Sequence, residues 1–121
     1  MKILAELEFY AMATLKQKDT GFVVMWMRPN LEGTAEQNKE PRIKIRTDNR
    51  DTGTGIISHS VSMTISDNPV LIEPKDKSGN SLDKKVEKKA IEFIKFNKVA
   101  LLQFWNDEID DDELKTKIKL G

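Results

Sequence analysis

His59 is the only histidine in the chain, and cysteine is absent. An imidazole has the one side-chain pKa that lies near neutrality unperturbed, so His59 is the first residue to consider as a general acid or base. Its neighbours at period-two spacing are Ile57, Val61 and Met63. An imidazole on a face of that kind serves more often as a packed or rim residue than as a catalyst. No carboxylate pair is singled out by spacing to work beside it, so no catalytic residue is assigned and His59 stands as the sole candidate. The missing cysteine removes thiolate nucleophiles, disulfides and Cys-ligated metal centres, and a single histidine removes any site that needs two imidazoles. No metal and no cofactor are expected.

Asp51-Thr52-Gly53 is the triplet in which aspartic proteases carry a catalytic carboxylate, a chemistry that needs two such groups sharing a proton. Here the triplet follows Asn49 and Arg50 and precedes Thr54-Gly55, where a supporting apolar strand would be required. A polar hairpin tip is the simpler reading. Gly53-x-Gly55 lacks the lysine and the following helix of a phosphate cradle. The acidic run Asp107 to Glu113 has no glycine at its centre, as a calcium loop would. Its carboxylates suit the start of a helix, and Asp110, Asp111 and Asp112 form a candidate surface for a basic partner.

Arg42, Lys44 and Arg46 alternate with Ile43, Ile45 and Thr47. Three cations on one face of a strand, beside the hydroxyls of Ser58, Ser60, Ser62, Thr64 and Ser66, are a plausible footing for phosphates or for an acidic partner. Glu6 and Glu8 offer an alternative, cross-strand pairing with those bases. Trp26 lies between Met25 and Met27 in a stretch apolar on both faces, which is either covered within the fold or a partner interface.

These residues need elements to hold them. Alternation predicts strands over 2–11, 22–28, 42–47 and 56–66, with a short last strand at 70–73 ended by Pro74. Pro29 to Pro41 is polar and aperiodic, a long mobile loop. From Asp83 the period becomes helical, and Leu82, Val86, Ala90, Ile94, Leu101 and Trp105 share a stripe, so one long helix is expected over 83–105. Asn97 falls within that stripe, where it either makes an internal hydrogen bond or marks a break. Asp110 and Glu113 are spaced as the start of a final helix over 111–118. Strands followed by helices make an α+β fold: an antiparallel sheet of about five strands, one long C-terminal helix across one face and a short final helix, in a single domain spanning 1–121.

With 121 residues, 38% hydrophobic and 33% charged, the chain can bury a modest core, and disorder throughout is excluded. Twenty basic side chains balance twenty acidic ones, which argues against coating nucleic acid by bulk charge. The balance is local cancellation: residues 83–105 carry six bases against three acids, and residues 106–121 three against six. No apolar run reaches the ~20 residues of a membrane span, and Glu6 and Glu8 interrupt any signal-peptide core. A cytoplasmic protein with no membrane partner is expected.

The stretch from Ala90 to Asp110 holds Asn97, Leu101-Leu102 and Trp105-Asn106, followed by acidic residues. In this it resembles the C-terminal end of certain small bacterial proteins of unknown function, some encoded in toxin–antitoxin-like settings. The resemblance implies a prokaryotic origin and a compact α+β shape; it brings no site, and the histidine- and proline-containing front segment of that group is absent here. The sequence thus points to a non-catalytic module that binds a protein partner or itself, through Trp26 or the charge-segregated helices. The alternatives are a nucleic-acid binder or metal-independent ribonuclease using Arg42, Lys44 and Arg46, and a homo-oligomeric structural subunit.

Overall fold

A computed structural model describes residues 12–31 and 39–119. The strand expected over 2–11 and the middle of the 29–41 loop lie outside the described residues. Four short strands follow one another in space as in sequence: β1 (Ala13–Leu15), β2 (Met25–Met27), β3 (Arg42–Arg46) and β4 (Ser60–Thr64), each antiparallel to the next. A four-residue helix, α1 (Gln17–Thr20), links β1 to β2 and ends on Gly21, whose φ of 91° is left-handed and favours a residue without Cβ. Three more helices close the chain: α2 (Lys84–Phe96), α3 (Lys98–Trp105) and α4 (Asp111–Lys117). The fold is α+β.

Register explains the two faces. Met25 pairs with Ile45, and Ile45 with Val61, while the next row runs Thr14, Trp26, Lys44, Ser62. Alternation therefore sends Ala13, Leu15, Met25, Met27, Ile43, Ile45, Val61 and Met63 to one side of the sheet. There they form one core with Ala90, Phe93 and Ile94 of α2 and Leu101, Phe104 and Trp105 of α3. Leu114 of α4 is buried in the same core. At the front of the long loop, the Asn30 backbone N–H donates to the Trp105 carbonyl at 2.7 Å, which ties the exit of β2 to the end of α3.

Four expected elements differ, the first being the 22–28 strand, which is confined to Met25–Met27 because the Phe22 and Val23 N–H groups donate to Thr20 Oγ1 at 3.2 and 3.1 Å. Residues 56–59 form a turn rather than the start of β4, because the N–H groups of Ser58 and His59 both bond back to the Gly55 carbonyl. The segment at 70–73 makes a single bridge, Leu71 to Met63, before Pro74 prevents further pairing. The helix over 83–105 divides at Asn97. That residue is buried, and its side chain makes three hydrogen bonds: Nδ2 donates to the carbonyls of Phe93 (3.1 Å) and Lys119 (2.9 Å), and Oδ1 accepts the Lys119 N–H (2.8 Å). The amide acts as a surrogate peptide group, clasping the segment after α4 against the break.

A buried group with three partners has a definite cost of removal. Asn97→Ala strands both Lys119 backbone groups and should lower the unfolding free energy by about 1–3 kcal/mol in urea titration. Asn97→Asp, which keeps one acceptor but loses both donors, should be no better. An unchanged denaturation midpoint in Asn97→Ala would show that the clasp contributes nothing.

Candidate functional site

The sheet face turned away from the helices carries the polar rows. Ser60, Ser62 and Thr64, whose hydroxyls share this face, are all buried. The turn at 56–59 and the segment after Val70 flank them and supply local partners. Ser60 Oγ donates to the Ile56 carbonyl, Thr64 Oγ1 accepts the Val70 N–H at 3.0 Å, and Ser78 Oγ donates to the Ser58 carbonyl at 3.3 Å. Trp26 is only 7% exposed. It packs with Val24, Ile56 and Met12, its indole N–H directed at Met12 Sδ at 3.2 Å, and the Arg28 guanidinium lies 5.1 Å from the ring centroid. An open apolar interface centred on Trp26 is thus not present.

Beside Trp26 lies a cavity of about 390 Å³. Among the described residues, six cationic side chains line it, Arg28, Lys39, Arg42, Lys44, Lys75 and Lys77, against two carboxylates, Glu73 and Asp76. Trp26, Met27, Ile57, Ser60 and Ser62 complete the lining. Lys44 Nζ is 3.5 Å from Ser62 Oγ, and Arg42 Nε donates to the Glu40 carbonyl at 3.2 Å. Both carboxylates are committed to bonds within the fold. Glu73 Oε1 accepts the Ser62 N–H at 3.0 Å. Asp76 accepts the Thr47 hydroxyl and, at 2.9 and 2.8 Å, the N–H groups of Ser78 and Asn80. Lys75 and Lys77 are exposed at the rim. The arrangement can hold an anion through several ammonium or guanidinium donors at once.

Of the residues singled out in the sequence, Trp26, Arg42 and Lys44 come together here. Arg46 shares their face but not their role. It is 1% exposed, its Nη1 donates to the carbonyls of Thr52 (2.9 Å) and Thr54 (2.6 Å), and its Nε and Nη2 grip the Asp48 carboxylate. The guanidinium thereby folds the loop after β3 around itself. Asp51, in the protease-like triplet, accepts the Gln17 N–H at 2.7 Å and caps the start of α1. A Cβ on Gly53 would come within 3.2 Å of Thr14 Oγ1, so this glycine allows the loop to lie against β1. His59, half-buried on its turn, sits near Asp48 and Asp76 and lies outside the cavity lining.

Asp110, Asp111 and Asp112 lie at the start of α4, away from the cavity. Asp110 accepts the Glu113 N–H at 2.8 Å as its N-cap, and Asp111 is 3.9 Å from Lys115. Their carboxylates offset the N-terminal end of the helix dipole. Among the described residues, the most exposed large apolar side chains are Val99 (70%) and Phe96 (58%), on either side of the Asn97 break, and Val70 (57%), after β4. No cluster of three or more metal-ligating side chains occurs among the described residues, and no helix among them is long and apolar enough to cross a membrane. Glu73, Lys75 and Lys77 were not foreseen as site residues. Their only signal is the run of charges around Pro74, next to a strand too short to bury them.

No family model, curated protein or solved structure matches this chain.

Breaking the Arg46 pair removes one partner from a half-buried carboxylate and two from backbone carbonyls. Arg46→Ala should lower stability by about 2–4 kcal/mol, and Arg46→Lys should recover little, because one ammonium cannot span three acceptors in a fixed fork. Wild-type stability in either variant would contradict this role.

Acid should act through the same loops. The Arg46 hydrogen bond holds Asp48 below the ordinary aspartate range, the Thr47 hydroxyl does so for Asp76, and Lys98 does so for Asp67. A carboxylate with a depressed folded-state pKa stabilises the fold fully above its unfolded value near ~4, and this contribution is lost as pH falls through the folded value. Thermal unfolding should therefore show a flat midpoint down to about pH 5 and a fall below pH 4. Asp76→Asn should flatten that fall; an equally steep fall in the variant would exclude Asp76 as a contributor.

Proposed function

We propose that the protein is a non-catalytic binding module whose cavity, on the sheet face opposite the helices, captures an acidic segment of a protein partner. The observation that supports this is the composition of the lining among the described residues, six cations against two carboxylates that already serve internal bonds. An acidic side chain entering there meets charged donors from β3, from the exit of β2 and from the segment after β4.

A nucleic-acid strand fits these features less well. Single-strand platforms stack bases on exposed aromatic rings, and the ring at this site, Trp26, is buried with Arg28 beside it. Glu73 and Asp76 in the lining would repel a continuous phosphate backbone, whereas a peptide can present one carboxylate to the cations and its N–H groups to the acids. Among the described residues of the lining, the two carboxylates that could serve as a base, Glu73 and Asp76, already accept hydrogen bonds from the fold, which favours the binding reading over a ribonuclease.

The test is titration of a hexaglutamate peptide, with a single-stranded oligonucleotide of similar charge in parallel, at two salt concentrations. Hexaglutamate should bind with the higher affinity, and Arg42→Ala and Lys75→Ala should each weaken it by about 5–20-fold. Val99→Glu, on the opposite side of the molecule, should leave it unchanged. Preferential oligonucleotide binding with a steep salt dependence would favour a nucleic-acid ligand instead, and binding of neither would overturn the cavity as a site.

A further inference from the structure

Glu73 occupies an unusual place in this cavity. The N–H and carbonyl of Ser62 point away from β3, toward the edge of β4 on which residues 70–72 lie. The Ile72 N–H donates to the Ser62 carbonyl at 2.8 Å, as in the first half of an antiparallel pair. A continuing ladder would return the Ser62 N–H to the Ile72 carbonyl. Instead the chain turns away ahead of Pro74, and the Glu73 carboxylate accepts that N–H at 3.0 Å. A side-chain anion therefore stands where a strand carbonyl would be, inside a cavity otherwise dominated by cations.

We infer that Glu73 is a resident competitor for the partner's carboxylate, and that an acidic side chain enters the cavity by displacing it from the Ser62 N–H. This rests on the acid-binding reading of the cavity and adds a gate to it. Two carboxylates cannot share one N–H and one set of cations without mutual repulsion, so binding must either move Glu73 or be weakened by it. Once Glu73 leaves, the Ser62 N–H is a buried donor in need of an acceptor, and the incoming carboxylate can supply one. Glu73 thus excludes ligands unable to satisfy that donor, which makes the site selective for anions that reach the β4 edge.

Two variants separate charge from hydrogen bonding. Glu73→Gln keeps an acceptor for Ser62 and removes the charge; Glu73→Ala removes both. Hexaglutamate affinity should rise roughly tenfold in Glu73→Gln, the scale expected when a like charge nearby is removed from a partly open site. In Glu73→Ala, hydrogen exchange at the Ser62 amide should be fast without peptide and slow when hexaglutamate is added. Equal affinity in wild type and Glu73→Gln, with both weakened by Arg42→Ala, would overturn the gate while leaving the acid-binding site in place. A Ser62 amide that stays fast with peptide bound would overturn displacement. Absence of hexaglutamate binding in all variants would overturn the site and the gate together.

Discussion

The fully buried guanidinium of Arg46 is the constraint from which the polar half of the molecule follows. A cation removed from water must be surrounded by acceptors, and here they come from one loop: the Asp48 carboxylate and the carbonyls of Thr52 and Thr54. Satisfying Arg46 closes the 48–56 segment over its end of β3. That closure brings Asp51 to the start of α1 and places Ile56 against Trp26 and Val24. The turn that follows then delivers β4 beside β3, so that Ser60 and Ser62 face the same side as Lys44. A loop that reads in sequence as a loose glycine-rich tip is thus a shell built round a charge.

The sheet separates two kinds of chemistry. On one side its aliphatic residues meet the helices, and Asn97 fastens the helix break to the chain's last described turn. On the other, cations outnumber carboxylates among the described residues of the cavity lining, and Glu73 and Asp76 accept hydrogen bonds from the fold. The neutral total of twenty bases and twenty acids therefore conceals a polar division in three dimensions as well as along the chain. Carboxylates at the start of α4 serve the helix, whereas cations gather at the cavity, so the two charge classes have different neighbours and different uses.

The α+β class was legible from the change of period at Asp83, because alternation and helical spacing are local properties. So was the pairing of Arg42 and Lys44 with the hydroxyl residues of the next strand. Depth was not legible. Arg42, Lys44 and Arg46 alternate identically, yet Arg46 alone is buried to 1% exposure, since its carbonyl partners lie six and eight residues ahead in a loop with no periodic signal. The burial of Ser60, Ser62 and Thr64 likewise depends on a segment that returns after the β4 strand. Asn97 presented two alternatives in sequence, an internal bond or a break, and in the structure it is both. Trp26 illustrates the same limit: an apolar strand calls for cover, but the identity of the cover is a tertiary fact.

The proposed docking surface is the sheet face opposite the helices. Backbone amide NMR of the labelled protein during addition of a polyglutamate ligand tests it most directly. The largest shifts are expected on Lys44, Ser62, Lys75 and Lys77, fading as salt is raised, with Phe96 and Val99 unmoved. Shifts concentrated instead around Phe96 and Val99, or along the start of α4, would contradict it.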